Sequence, residues 1–433
     1  MFNRLRWLMI SMLFVGGGIS YLDRAALSIA APLMSKDLGL DPAQLGIVFS
    51  SFFFGYALFC FVGGWASDRI GAKHVFTIAM TVWSVFCGLT ATVTSLAALL
   101  VVRVIFGMGE GPFSATANKF VSNWFPRREQ ASAVGLANAG QPLGAALAGP
   151  LVGFIAVAYG WRVAFVVVAA FGLLWTLGWV LLATDRPEQH PRLGAAERAE
   201  IAEPSQEPPP VPVNRLRELL VRPAILSTAF AFFGYAYILY FFLSWFPSYL
   251  TTAQHLSIQR MGVVNVIPWM VGFVGLASSG FVCDHVYRLT GRALFSRKLV
   301  LVTSLLIAAV CVALAGVVTG VAAAVTLMAV AVFFMYLTAS TYWAIILDTV
   351  EPRRIGGVSG FVHMIANCAG IVAPSVTGCL VQWTGSFTSA FIVTGAIAVA
   401  GALAVALFVR VPSSVGMTLD LPESAGPKRM PSA

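Results

Sequence analysis

Four ionisable residues stand inside long apolar runs: Asp23, Arg24, Arg103 and Glu110. Each costs about 3 kcal/mol or more at bilayer depth, so none is there to help a helix insert. Asp23 and Arg24 are adjacent and would point about 100° apart on a helix, so each needs a partner from elsewhere or a water-filled cavity. Arg103 and Glu110 lie two turns apart, about 10.5 Å along one helix face. One chemistry open to such a set is anion binding linked to protons. A guanidinium is a rigid, permanently charged fork that holds a carboxylate bidentately. A carboxylate that loses its arginine to a competing anion gains proton affinity, which couples the two ligands reciprocally. The bland alternative is a static ion-pair network between two helices. Gly107, Gly109, Gly111 and Pro112 surround Glu110 and would thin and bend its helix.

The elements that must position these residues are membrane helices. The 433-residue chain is 58% hydrophobic and only 10% charged, against about 25% charged in soluble domains. Apolar windows predict an all-α membrane protein of twelve transmembrane helices in two six-helix pseudo-symmetric bundles. The first six windows cover about 8–34, 43–66, 74–95, 97–120, 131–157 and 162–183. The second six cover about 224–250, 260–283, 298–318, 321–347, 355–381 and 387–409. This divides the chain into an N-terminal bundle (1–184), a C-terminal bundle (223–411) and a cytoplasmic tail (412–433). The charged, proline-rich stretch 185–222 between the bundles reads as a solvated cytoplasmic linker with room for one short helix.

The net charge of +9 does not argue for nucleic acid, because the basic residues collect in short loops on one side. Arg69, Lys73, Arg127, Arg128, Arg297, Lys298, Arg353 and Arg354 fall there, while the opposite loops hold only Lys36, Arg162 and Arg260. That asymmetry places both termini in the cytoplasm. Arg4 and Arg6 precede the first apolar run, but its length and the Asp23–Arg24 pair make it a retained helix rather than a cleaved signal. Six cysteines without a CxxC pattern imply neither a disulfide framework nor a zinc site. With no phosphate-binding glycine loop and no nucleophile–base set, no enzyme activity, cofactor, metal or ATP drive is expected.

The two halves echo one another. GGWASDRIGAK (63–73) is matched by GFVCDHVYRLTGR (280–292), and the stretch from Phe125 to Pro150 by that from Glu351 to Pro374. Aligning Pro126 with Pro352 sets Gln141 opposite Asn367 and Gly144 opposite Gly370. Six spans plus six, with internal similarity, describe a carrier with its site between the repeats at mid-depth.

The loop motif GGWASDRIGAK, with Gly64, Asp68, Arg69, Gly71 and Lys73, resembles the signature of the major facilitator superfamily, where it forms a cytoplasmic gate. YLDRAALSIAAP (from Tyr21), RVIFGMGEGPFSATANKFVSNWFP (from Arg103) and EQASAVGLANAGQPLG (from Glu129) resemble its anion:cation symporter family, which includes bacterial sugar-acid:proton symporters and sialin-like carriers. The resemblance covers essentially the whole chain. It implies proton coupling at Asp23 and Glu110, and substrate binding at Tyr21, Arg24, Tyr56, Arg103 and Gln141. In the second half it points, less cleanly, to Ser340, Tyr342 and Trp343. His363 stands near a position where related carriers have Asn, with Asn367 one turn on.

Bland readings stand beside these. Tyr21, Tyr56 and Trp343 suit aromatic packing as well as substrate contacts, Gln141 and Asn367 suit interhelical hydrogen bonding, and His363 suits a structural role. Lys119 can snorkel to the interface, and Asp348 beside Glu351, Arg353 and Arg354 reads as a gate charge. The expected function is import of a small organic anion with protons by a monomeric carrier in a bacterial inner membrane. The substrate class is a hexonate or hexuronate, or else an aromatic or dicarboxylic acid. A non-transporting membrane sensor on the same fold is the alternative from another class.

Overall fold

The computed structural model describes residues 5–201, 216–350 and 355–409. The expected tail 412–433, Glu351, Arg353, Arg354 and the side chains of Arg127 and Arg128 lie outside the described residues. Among the described residues, twelve helices are long and apolar enough to cross a membrane. In the first half they are α1 (Leu5–Leu38), α2 (Pro42–Ile70), α3 (Ala72–Thr92), α4 (Leu96–Trp124), α5 (Ala133–Tyr159) and α6 (Trp161–Leu182). In the second half they are α7 (Pro223–Thr252), α8 (Ile258–Thr290), α9 (Ala293–Ala315), α10 (Val321–Ile346), α11 (Val358–Thr384) and α12 (Thr388–Phe408). The described residues contain no strand.

Local sequence sets the helix ends and breaks. Asp41 accepts from the Gln44 amide while Gln44 Oε1 accepts from the Asp41 amide, a reciprocal cap that starts α2 at Pro42. The glycine–proline run divides α4 into Leu96–Glu110 and Phe113–Trp124, because Pro112 has no N–H to donate back into the helix. The helix therefore breaks just after Glu110, as the sequence leads one to expect. α8 and α10 are likewise interrupted, at Asn265 and Thr338.

In the first bundle α1 packs on α5, α2 on α4 and α3 on α6; in the second α7 packs on α11 and α12, and α8 on α10. Three seams join the bundles: α2 with α11, α5 with α8, and α1 with α7. The tight seam contacts lie in the half of the molecule away from the connection between α6 and α7. A Cβ added to Gly149 of α5 would come within 2.2 Å of the Gly262 carbonyl of α8, and one on Gly46 of α2 within 2.6 Å of the Pro374 carbonyl of α11. These backbones touch where a side chain cannot fit. Ser50 adds a 2.7 Å hydrogen bond to the Ile371 carbonyl. Towards the connection side, a Cβ at Gly135 of α5, Gly280 of α8 or Gly360 of α11 would meet nothing within 4 Å. The close backbone contacts between the bundles named here therefore lie at the far end.

The connection itself is fastened to the first bundle. A short helix, Ala195–Ile201, carries Glu197, whose carboxylate accepts from the backbone amides of Leu5 and Arg6, both at 3.2 Å. Buried Arg6 lies 3.9 Å from Glu197, 3.3 Å from Glu200 and 3.3 Å from Glu129, which precedes α5. A second short helix, Leu216–Leu220, precedes α7.

Candidate functional site

Close packing of α2 on α4 builds the site. A Cβ at Gly107 would come within 2.0 Å of the Phe52 carbonyl, so only glycine lets the helices approach this far. That approach sets Phe52 and Tyr56 of α2 beside Glu110 of α4 and Arg24 of α1. Glu110 is fully buried. Its Oε1 accepts from Ser20 Oγ at 2.5 Å and from Arg24 Nε at 2.6 Å, and lies 2.5 Å from Arg24 Nη2. Its Oε2 has no hydrogen-bond partner. Arg24 therefore grips one oxygen of the carboxylate with two nitrogens instead of spanning both. Its guanidinium also lies over three rings, Tyr21 at 5.0 Å, Phe52 at 5.0 Å and Tyr56 at 4.6 Å. Such stacking holds a cation without neutralising it.

Arg103 and Asp23 complete the cluster. Arg103 is buried over Phe52 at 5.1 Å and Phe106 at 4.9 Å, its Nε unpartnered, and forms no ion pair among the described residues. Asp23 is buried with neither carboxylate oxygen hydrogen-bonded. Its neighbours are Glu110, Arg103 and Arg24, and the Trp83 indole of α3. Adjacent Asp23 and Arg24 thus serve different neighbours, as their angular separation requires. Two cations and two carboxylates share one apolar enclosure, with Arg103 and Asp23 less completely engaged than Arg24 and Glu110.

The second bundle faces this cluster with neutral groups. Asn367 Oδ1 accepts from the Tyr240 hydroxyl at 2.8 Å, and its Nδ2 donates to the His363 carbonyl at 2.9 Å. The Tyr240 ring lies 4.3 Å from Phe53 of α2, which carries Asn367 to the seam. Trp269 meets Tyr21 edge-on at 6.4 Å. Trp343, His363 and Phe232 cluster at 5.6–6.0 Å, with Trp343 36% exposed. Gln141 of α5 donates to Asn138 Oδ1 at 3.1 Å, so the repeat-related amides Gln141 and Asn367 each bond within their own bundle.

Two expected contacts are not brought to the charges. Ser340 bonds Ser279 of α8 at 2.5 Å. Tyr342 is fully buried, stacked on Phe232 at 4.4 Å with its hydroxyl accepting from Thr338. Both sit inside the second bundle. The loop motif lies at the connection end of the first bundle. Asp68 pairs with Lys119 at 2.9 Å, Arg69 lies over Trp65 at 4.1 Å, and Gly64 abuts Ala115. Gly71 takes φ 89°, and Asp185 accepts from the Lys73 amide at 2.6 Å. In the second bundle Asp348 pairs with Arg297.

Sequence reading missed Ser20, Phe52, Trp83, Tyr240 and Trp269. Tyr240 alone left a signal, since α7 carries tyrosines at 235, 237 and 240 in an otherwise apolar run. No cluster of potential metal ligands occurs among the described residues.

Comparison with known proteins agrees with this architecture. A family model described as Major Facilitator Superfamily matches residues 13–295 and 288–427. The chain is 50% identical over 412 residues to the "Hexuronate transporter" of Bacillus subtilis (strain 168), covering 95% of this chain and 96% of that one. It is 33% identical over 381 residues to the "Probable sulfoacetate transporter SauU" of Cupriavidus necator, covering 88% of each. Among solved structures, a bacterial homologue of the lysosomal transporter Spinster, inward-facing and unoccupied, superimposes with a TM-score of 0.76 at 17% identity. That match covers 95% of this chain and 100% of that one, and it establishes likeness of fold.

Proposed function

The chain belongs to the major facilitator superfamily, and from that premise we propose that it imports a hexuronate-like sugar acid together with protons by alternating access. The observation that carries the reading is the uneven pairing of the four buried charges. Arg24 is committed to one oxygen of Glu110, while Arg103 forms no ion pair among the described residues, though Asp23 and Glu110 lie near it. An arriving carboxylate finds in Arg103 an unneutralised fork, and competes with Glu110 for Arg24. A proton on Glu110 Oε2 weakens its hold on Arg24 and admits the anion. Substrate and proton thus favour one another's binding.

Charge balance fits this cycle. Arg24, Arg103, Asp23 and Glu110 sum to zero when all are ionised, and one monoanion with one proton keeps the sum at zero. A loaded site that stays neutral crosses its midpoint without stranding a buried charge. Sugar hydroxyls would meet Tyr21, Tyr56, Gln141 and Asn367, with Trp343 and His363 on the second-bundle wall. Ser340 and Tyr342 act through the packing of α8 and α10 instead of touching substrate.

The glycine seams support rocking of the bundles, since backbone-to-backbone contact without interlocked side chains can separate cleanly. The connection end, away from the glycine seams, would face the cytoplasm, with both termini there, in a bacterial inner membrane. The Asp68–Lys119 pair and the Asp348–Arg297 pair are the charges placed to guard that mouth. The paired arginines favour one second reading: a small two-headed anion, with each arginine taking one acidic group and both carboxylates protonated in turn. The name of the 33% identical relative points the same way.

Uptake into proteoliposomes tests both. With an inward proton gradient, labelled glucuronate or galacturonate should accumulate above its external concentration, and a protonophore should collapse the accumulation. Downhill entry indifferent to the gradient would exclude the coupled reading. Preference for a dianion would select the two-headed one. A sensor on the same fold would bind without any uptake.

A further inference from the structure

The Trp83 indole N–H is buried and has no hydrogen-bond partner. It lies within hydrogen-bonding reach of the Asp23 carboxylate without meeting full hydrogen-bond geometry, and both carboxylate oxygens are buried and otherwise without a partner. An unsatisfied donor and an unsatisfied double acceptor therefore adjoin in an apolar interior, where each normally finds a partner. The ring is held in place. A Cβ at Gly109 of α4 would come within 2.7 Å of the Trp83 amide nitrogen, so α4 is packed hard on the backbone behind it. Phe113 lies 6.0 Å from the indole. Cys87, one turn along α3, shares the face turned to Asp23 and Arg103.

We propose that Trp83 is a positioning residue for Asp23, its N–H closing onto the carboxylate when Asp23 gives up its proton. An indole nitrogen only donates. It therefore bonds most strongly to a charged carboxylate and less to a protonated acid. The loosely formed contact in the described conformation is then one state of a two-state contact between α3 and α1, tightened or loosened by one proton. The other charged or titratable neighbours of Asp23 are Arg24 on its own helix, Glu110 and Arg103 on α4, and Cys87 on α3. Trp83 is a neutral donor that keeps its proton throughout and donates far better than the Cys87 thiol, so it can follow the charge on Asp23 without altering the total.

The inference rests on proton-coupled uptake as proposed above, and the test separates the two. Trp83→Phe keeps a ring of similar bulk and removes the N–H. In proteoliposomes the pH at which coupled uptake falls should move upward by about one unit, since losing a hydrogen bond to a charged group is worth roughly that much. The substrate KM at acidic pH should stay within about twofold. In an Asp23→Asn background the same change should shift nothing further. Wild-type uptake that ignores protons overturns the transport reading. Wild-type coupling with an unshifted Trp83→Phe profile overturns this one. If Trp83→Phe fails to fold, the indole N–H hydrogen-bond band in ultraviolet resonance Raman spectra decides. It should move with pH in the unaltered protein and stay fixed in Asp23→Asn, and a band that stays fixed in both overturns the proposal.

Discussion

Replacing Glu110 by Gln separates competition for Arg24 from simple structural pairing. Three donor atoms, Ser20 Oγ and two Arg24 nitrogens, converge on Glu110 Oε1 within 2.6 Å, while Oε2 is unpartnered. Glutamine keeps the volume and one acceptor but removes the charge. Removing one partner of a buried ion pair costs about 3–5 kcal/mol. The retained acceptor returns part of that, so about 2 kcal/mol of stability should be lost in the ligand-free protein. An anion seated on the released arginine restores the lost interaction. At about 1.4 kcal/mol per tenfold, full restoration would tighten the Kd for substrate by about thirtyfold. Linkage adds a sign. In the unaltered protein a proton and the anion bind cooperatively, so Kd should weaken as pH rises, by up to about tenfold per unit for one linked proton. In Glu110→Gln that slope should flatten. Titration calorimetry across pH, with uphill uptake measured in parallel, reads all of this. Accumulation of substrate against its gradient by Glu110→Gln, or an unchanged pH slope, would refute the assignment.

Arg103→Lys replaces a fork stacked on Phe52 and Phe106 by a point charge, and should raise KM by about thirtyfold, roughly 2 kcal/mol. An unchanged KM would move the anion to Arg24 alone. Gly149→Ala drives a methyl group into the Gly262 carbonyl and should disfavour the described arrangement, seen as increased thiol labelling of a cysteine placed at the far end of the seam. Lys119→Ala removes a half-exposed pair with Asp68, and should change stability by less than about 1 kcal/mol while altering the pH-independent exchange rate.

The charges were legible because a bilayer makes them expensive: Asp23, Arg24, Arg103 and Glu110 announce themselves against an apolar background, and the structure gathers all four. The break in α4 was legible for a similar reason, since Pro112 removes a donor the helix requires. Trp83, Phe52 and Tyr240 were not. An aromatic residue in an apolar span has the same appearance whether it fills a core, holds a guanidinium or orients a carboxylate, and only packing distinguishes these uses. Ser340 and Tyr342 show the converse. A polar residue midway along a helix has several neighbours to choose from, and here α8 and Thr338 supply the partners. Repeat alignment set Gln141 opposite Asn367, yet symmetry of sequence fixes equivalent positions without fixing equivalent bonds.

The carboxylate of Glu197 on the first amides of α1 bears on how the protein is made. A helix start normally takes its cap from the residue just before its first turn. Here that cap leaves the ribosome only after six membrane spans have been synthesised, so α1 begins life with an unfinished end. That end can be closed only once the chain beyond α6 has been made. A first half expressed to Leu182 would lack that closure, whereas one extended past Ile201 would keep it, and should survive heating better by the equivalent of about 1–2 kcal/mol.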